Sequence, residues 1–248
     1  MGRVAHSAPP FSTAPSSTAR TSAGMVRRTN EDRYIERCDV GLWAVADGMG
    51  GHQCGEAAAT LAVEALARLP KFSSGYGLLT AVRDTLDQTN QDLVAQGAAI
   101  GDGAVMGATV VALMAFEDHF ACVWAGDSRA YRIQGGRIEQ ITRDHSVVQE
   151  LIDRRGLSEA EANAHPGAHM ITRALGASRD LELDLAYGPL RPEDLFLLCS
   201  DGLTRVLSDD DLATLAGAAS LQNAADGMMS EALARGARDN VTLVLVRP

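Results

Sequence analysis

Cysteines are few in this sequence, and long apolar runs are missing. The four cysteines, Cys38, Cys54, Cys122 and Cys199, are scattered without CxxC spacing, which argues against a zinc site or a disulfide framework. No apolar stretch approaches the roughly 18 residues of a membrane-spanning helix. No signal peptide is evident either, so we expect a cytoplasmic protein that does not bind membranes.

Basic charge is also scarce. Lys and Arg total 22 against 32 Asp and Glu, which gives a net charge of −10 and a pI near 5.0. This balance argues against a general nucleic-acid or anionic-membrane binder, because both need a basic surface. Acidity by itself is better explained by solubility than by the concentration of cations, unless the acidic residues prove to cluster.

The chain has enough apolar content for one large domain. It has 248 residues, 46% of them hydrophobic. Residues 1–17 are rich in Ser, Ala, Pro and Thr and predict a flexible N-terminal tail, because they bury too little area to offset ordering entropy. Residues 18–248 contain no linker or repeat and are interpreted as a single domain.

Periodicity predicts short strands in groups, with helices between the groups. The predicted strands are Tyr34–Cys38, Leu42–Ala46, Ala108–Phe116, His119–Ala125, Ala130–Gln134, Arg137–Ile141, Leu195–Cys199 and Val241–Val246. The predicted helices are Glu56–Leu69, Leu78–Gln96 (closed by Gly97), Ser146–Arg154, Ser158–Asn163, Asp209–Leu215 and Leu221–Ala234. This order indicates an α+β fold with a mainly antiparallel sheet and flanking helices, not a Rossmann fold or a TIM barrel.

Three aspartates lie at or beside the ends of apolar strand-like runs: Asp47, Asp201 and Asp239. Carboxylates at strand ends can share one cleft, and a few carboxylates with a carbonyl and waters suit Mg²⁺ or Mn²⁺. Asp–Gly pairs also mark ordinary turns. However, the glycine-rich run Gly48–His52 exceeds what a hairpin needs, so a metal site is the better interpretation. A further acidic pair, Glu31 and Asp32, precedes the first hairpin.

Six segments resemble the metal-dependent protein phosphatase family, the type 2C or PPM phosphatases, in its bacterial single-domain form. The segments are VRRTNED (Val26–Asp32), DGMGGHQCGE (Asp47–Glu56), MGATVV (Met106–Val111), AGDSRAYRI (Ala125–Ile133), LLCSDGL (Leu197–Leu203) and RDNVT (Arg238–Thr242). They occur in the family's order and spacing. The resemblance implies a four-layer α-β-β-α sandwich, two antiparallel sheets flanked by helical pairs, with a metal site at one end.

The resemblance also implies roles for individual residues. Asp47 would bridge two Mn²⁺ or Mg²⁺ ions, with the carbonyl of Gly48 as a further ligand. Asp201 and Asp239 would hold the first metal. Glu31 and Asp32 would hold or orient metal-bound waters. Arg27 would grip the substrate phosphate.

The implied reaction is direct hydrolysis of phosphoserine or phosphothreonine. Two cations roughly 3.5–4 Å apart lower the pKa of a bridging water and supply the nucleophile without a phosphoenzyme. The expected partners are phosphorylated proteins, including a bacterial Ser/Thr kinase and its substrates, and the expected state is a monomer.

Two positions depart from the family pattern. The family usually has an acid for a third cation at the position of Ala104, and the nearest acid here is Asp102. Either Asp102 reaches the site as a third-metal ligand, or third-metal binding is weak. Met49 replaces the His that many eukaryotic members use as a candidate general acid.

Two other functions remain open at this level. One is a non-catalytic phosphoprotein-binding module, although Arg27, Asp47, Asp201 and Asp239 are all present. The other is a different metal-dependent hydrolase, such as a phosphodiesterase, although the His-rich ligand sets of many such enzymes are missing.

Overall fold

The computed structural model describes residues 15–50, 52–101, 104–158, 161, 165–167 and 170–248. The strands are β1 (Ser16–Ser22), β2 (Arg33–Arg37), β3 (Leu42–Ala46), β4 (Gly48–Met49), β5 (Gly107–Ala108), β6 (Val110–Phe116), β7 (His119–Ala125), β8 (Arg129–Gln134), β9 (Arg137–Gln140), β10 (Asp184–Pro189), β11 (Leu195–Cys199) and β12 (Val241–Arg247). The helices are α1 (His52–Ala67), α2 (Gly75–Ile100), α3 (Val147–Arg155), α4 (Asp201–Thr204), α5 (Asp209–Ala216) and α6 (Leu221–Ala234).

Two five-stranded antiparallel sheets form the centre of the fold. Their strand orders are β1-β12-β11-β8-β9 and β10-β7-β6-β3-β2, and β4 pairs with β5 as a short separate ladder. Trp43, Trp124 and Phe196 belong to the apolar layer between the two sheets. Strands β3 and β11 are buried along their whole length, as their continuous apolar sequences predict for strands covered on both faces.

Helices cover the outer face of each sheet. Buried residues of α1 and α2 form a cluster with β3 and β6, whereas buried residues of α5 and α6 form one with β11 and β12. The three apolar clusters thus separate four layers, which are two sheets and a layer of helices on the outer face of each sheet. The structure therefore confirms the predicted α-β-β-α sandwich.

Several predicted boundaries are wrong for identifiable reasons. Strand β1 begins at Ser16 and pairs Ser16 with Arg247, so the last two residues of the predicted tail belong to a sheet. The polar sequence of β1 does not predict a strand, because β1 is held in the sheet by its pairing with β12. Tail residues 1–14 lie outside the described residues, as does most of the predicted helix at 158–163.

Gly97 does not end the second helix. Helix α2 continues to Ile100, and Gly97 is buried within it, where an added Cβ would lie 3.0 Å from the carbonyl oxygen of Ala104. This glycine allows close approach of the returning chain instead of terminating the helix. Among the described residues, no helix is long and apolar enough to cross a membrane.

Candidate active site

The sheet topology brings the three strand-end aspartates to one end of the sandwich. Asp47 follows β3 directly, and Asp201 comes two residues after β11. Asp239 precedes β12, the antiparallel neighbour of β11. The backbone of Ser200 donates to the carbonyl of Thr242 at 3.0 Å, which fixes the two segments side by side.

The position of Asp47 is set by hydrogen bonds between strand ends. Its backbone N–H donates to Thr109 Oγ1 at 3.1 Å, and its carbonyl accepts from the Thr109 N–H at 2.8 Å. The Thr109 hydroxyl also lies 2.7 Å from that of Ser128. The turn after β3 is therefore held to two other segments by groups that are themselves buried.

Asp32 is the most deeply buried of the predicted site residues, with 2% of its surface exposed. Ser200 Oγ donates to Asp32 Oδ2 at 2.7 Å, whereas Asp32 Oδ1 has no hydrogen-bond partner among the described residues. Burial raises the pKa of Asp32 to about 6, and the neighbouring charges of Asp201 and Asp239 add to this. A buried carboxylate oxygen without a partner costs free energy unless a cation is close.

Asn240 ties the loop that carries Arg27 and Glu31 to the start of β12. Its side-chain Nδ2 donates to the carbonyls of Ala23 at 3.1 Å and Thr29 at 2.9 Å. Its Oδ1 accepts from the backbone N–H of Glu31 at 2.8 Å. This side chain satisfies three backbone groups of the loop and thereby fixes the direction from which the loop approaches the site.

Glu31 and Gly48 meet at a second close contact. A Cβ added to Gly48 would lie 2.9 Å from the carbonyl oxygen of Glu31, and one added to Gly55 would lie 2.2 Å from Glu31 Oε2. Glycine at both positions is therefore required for the approach of Glu31 to the Gly48 segment.

Two arginines pair with the aspartates. Arg27 Nη2 lies 2.9 Å from Asp239 Oδ2, and hydrogen bonding to this carboxylate raises the pKa of Arg27. Arg205 forms an ion pair with Asp201, and its Nη1 lies 3.9 Å from Asp239 Oδ2. Arg27 was expected here from the sequence. Arg205 was not, because its place one helical turn after Asp201 becomes visible only with α4 formed.

Asp127 is a second residue of the site that the sequence interpretation missed. It follows the Ala125 end of β7, and its Oδ1 is buried without a hydrogen-bond partner among the described residues. Burial, and then the charge of Asp201, raise the pKa of Asp127 to about 7. The available signal was the same as for the other three aspartates, a carboxylate within two residues of the end of an apolar strand.

The clustered carboxylates repel one another. The pKa of Asp47 lies well above its ordinary value, first because of burial and then because of the charges of Asp32, Asp201, Asp127 and Asp239. Burial likewise raises the pKa of Asp201, while Arg205 opposes the shift. Coulombic shifts of this kind place these carboxylates within a short range of one another.

The residues fit hydrated hard cations better than a closed cage of protein ligands. In the part of the chain that the structure describes, no group of three His, Cys, Asp or Glu side chains could hold a metal ion by itself. Mg²⁺ is typically held by one or two carboxylates and keeps several waters. The site has carboxylates that repel one another, and Asp32 Oδ1 lacks a hydrogen-bond partner among the described residues. Both features suit a cation that keeps part of its water shell. Asp102, the predicted third-metal residue, lies outside the described residues.

Known proteins share this sequence and architecture. Residues 20–155 match the family model described as protein phosphatase 2C. The Ser/Thr phosphatase stp of Listeria monocytogenes is 34% identical over 237 residues, which cover 92% of this chain and 93% of that protein.

Solved structures agree with this relationship. PppA, a key regulatory component of T6SS in Pseudomonas aeruginosa, is 40% identical with a TM-score of 0.88, covering 95% of this chain and 98% of PppA. The catalytic domain of the Ser/Thr phosphatase PstP, solved in complex with two manganese ions, is 34% identical with a TM-score of 0.83, covering 94% and 97%. The chain therefore belongs to the protein phosphatase 2C family of Ser/Thr phosphatases, which confirms the predicted family, fold class and enzyme class.

Proposed function

We propose that the chain hydrolyses phosphoserine and phosphothreonine in proteins and that its carboxylate site binds two Mn²⁺ or Mg²⁺ ions. The observation that carries this proposal is the convergence of Asp32, Asp47, Asp201 and Asp239 from separate segments, next to Arg27. The charges of Asp201 and Asp239 raise the pKa values of both Asp32 and Asp47, and bound cations would relieve this repulsion.

The carboxylates divide into direct and supporting metal ligands in this proposal. Asp47, the Gly48 carbonyl, Asp201 and Asp239 would hold the two cations directly. Asp32 and Glu31 would hold waters of the hydration shell, since one oxygen of Asp32 has no hydrogen-bond partner among the described residues. When bound, the cations supply Lewis-acid stabilisation and an activated water at neutral pH.

Arg27 binds the phosphoryl oxygens of the substrate. Its side chain is half exposed, so it can leave Asp239 for an arriving phosphate while staying at the edge of the site. A planar guanidinium matches two oxygens of a phosphate at once and neutralises charge during transfer. This assignment predicts that Lys at position 27 preserves charge but not the full activity.

Phosphorylated proteins are the substrates in this proposal, and the enzyme opposes a bacterial Ser/Thr kinase. A monomeric state and a cytoplasmic location complete the proposal.

The test is turnover of a phosphothreonine peptide with Mn²⁺, repeated with a chelator. Asp47→Asn and Asp239→Asn should lower kcat/KM at least a hundredfold. Each variant should bind the cations more weakly, so less positive charge stabilises the reacting phosphate. Asp210→Asn is the matched control, since Asp210 is exposed on α5. Full turnover in the presence of chelator would contradict the proposal.

A substrate panel separates this function from the two alternatives. A phosphodiesterase would prefer a bis-aryl phosphodiester over the phosphopeptide, and a non-catalytic binding module would bind the phosphopeptide without turnover. We expect phosphopeptide hydrolysis to exceed diester hydrolysis, because Arg27 and the cation pair suit a dianionic monoester.

A further inference from the structure

His145 is a buried histidine next to the carboxylate site, and the proposed function gives it no role. Only 7% of its surface is exposed. It stands directly before Ser146, the N-cap of α3, and its ring stacks with that of Trp124 at a centroid distance of 6.1 Å. A buried imidazole needs a hydrogen-bond partner for each of its two nitrogens. His145 has both partners, and one of them belongs to the turn that carries Asp127.

The first partner is the backbone of Gly126, the residue before Asp127. The Gly126 N–H donates to His145 Nδ1 at 3.2 Å, and the Gly126 carbonyl accepts from the His145 N–H at 2.9 Å. Both backbone groups of Gly126 are therefore bound by one residue. The turn from which the Asp127 carboxylate enters the site thus takes its position from His145.

The opposite side of this turn is held as well. Gly126 has a φ of 117°, and an added Cβ would lie 2.5 Å from Thr109 Cβ, so only glycine fits here. The Ser128 hydroxyl lies 2.7 Å from that of Thr109, which also accepts from the backbone N–H of Asp47. A displacement of this turn would therefore reach the Asp47 segment too.

The second partner fixes the tautomer of the ring. A backbone N–H can only donate, so His145 Nδ1 must be unprotonated to accept from Gly126, and the proton of the neutral ring is then on Nε2. His145 Nε2 lies 3.1 Å from Asp184 Oδ2 and donates to it. Arg173 Nη1 holds the other oxygen of this carboxylate at 3.1 Å. Asp184 therefore selects the tautomer that leaves Nδ1 free for Gly126.

We propose that His145 is a positioning residue whose Nδ1 holds the backbone of Gly126 and thereby keeps the carboxylate of Asp127 among the other carboxylates of the site. The inference rests on the proposed function, and it assigns His145 an action through Asp127 instead of on the substrate. A histidine that only filled the space beside Trp124 would not need an acceptor at Nδ1. The two interpretations therefore differ in which atom of the ring matters.

Two substitutions each keep one half of the ring's hydrogen bonding. In His145→Asn, Oδ1 stands as many bonds from the backbone as Nδ1 and can accept from Gly126, whereas the contact with Asp184 is lost. In His145→Gln, the amide reaches as far as Nε2 and can donate to Asp184, whereas Gly126 loses its acceptor. Both variants lose the stacked ring, so urea unfolding should show similar losses of stability.

Titration calorimetry with Mn²⁺ is the main measurement. The affinity of His145→Asn should stay near the wild-type value, and that of His145→Gln should be about tenfold weaker, at the lower end of the range for residues that orient metal ligands. With a phosphothreonine peptide at saturating Mn²⁺, kcat should fall in the same order while KM changes little, because Asn240 holds the loop of Arg27 independently.

Asp194→Asn is the control for lost stability. Asp194 precedes β11 and Asp201 follows it, so the two residues lie at opposite ends of this strand. The Asp194→Asn variant should be destabilised and still bind Mn²⁺ as the wild type does.

The tautomer is measured in the metal-free wild type. Nitrogen NMR spectra of protein with isotope-labelled histidine distinguish a protonated from an unprotonated ring nitrogen, and contacts with the Trp124 ring identify His145. We expect a proton on Nε2 and none on Nδ1. Because this measurement needs no variant, it tests the inference if either substitution prevents folding.

The outcomes separate the inference from the proposed function. A Mn²⁺ affinity of His145→Asn equal to or below that of His145→Gln, or a proton on Nδ1 in the wild type, would overturn the inference alone. Failure of the wild-type enzyme to bind Mn²⁺ and to hydrolyse the phosphopeptide would overturn the proposed function together with it.

Discussion

Asp32→Asn should make the metal-free protein more stable while weakening metal binding. Burial raises the pKa of Asp32 from its ordinary value of 3.8 to about 6. A shift of roughly 2 units corresponds to about 3 kcal/mol of folding free energy, at 1.36 kcal/mol per unit. Above pH 7 the charged carboxyl destabilises the folded state by up to that amount.

The sign of the pH dependence follows from the raised pKa. The folded protein binds this proton more tightly than the unfolded chain, so the destabilisation is present above pH 6 and is relieved as the pH falls toward 4. Asn is uncharged, and its side-chain oxygen can still accept from Ser200 Oγ. We therefore expect a gain of about 1–3 kcal/mol at pH 7.5 that shrinks toward zero near pH 4.

Urea unfolding with a chelator at pH 7.5, 6 and 4 measures this gain. Added Mn²⁺ should then stabilise the wild type more than the variant, since a ligand stabilises the state that binds it. Asp210→Asn, exposed on α5, should change stability by less than about 0.5 kcal/mol. A metal-free Asp32→Asn protein that is less stable than wild type at pH 7.5 would refute the reasoning that the buried charge of Asp32 destabilises the metal-free fold.

Three further substitutions test other contacts. Gly55→Ala places a methyl group 2.2 Å from Glu31 Oε2, so calorimetry should show weaker Mn²⁺ binding; unchanged affinity would contradict the role of Glu31. Arg205→Gln removes the ion pair at the carboxylate site, so Mn²⁺ should bind about two- to fivefold more tightly, and weaker binding would count against competition between the arginine and the metal. Asp194→Asn breaks a buried ion pair with Arg132 and should cost about 3 kcal/mol in urea unfolding; a loss below 1 kcal/mol would show that Arg132 finds another partner.

The core strands were predictable because their sequences are unambiguous. Strands β3 and β11 are continuous apolar runs, and the hairpin that Gly135 and Gly136 close carries an ordinary turn signal. Strand β10 was missed, since it is an edge strand that contains Gly188 and Pro189. Edge strands depend on pairing with a neighbour more than on their own composition.

The site was predictable in part. Asp47, Asp201 and Asp239 stand out because each borders an apolar strand, and the structure places them at one end of the sandwich. Asp127 also borders an apolar strand, but it was named only as part of the segment AGDSRAYRI and no role was assigned to it. The pairing of Arg205 with Asp201 depends on helix α4, a single turn that no periodicity in four residues can predict.

Anomalous diffraction at the manganese edge, from crystals grown with Mn²⁺, tests the central claim most directly. We predict two manganese peaks among the carboxylates of Asp47, Asp201 and Asp239, with the guanidinium groups of Arg27 and Arg205 displaced from them. A map without peaks at these carboxylates, with both arginines still paired to them at saturating Mn²⁺, would contradict the account.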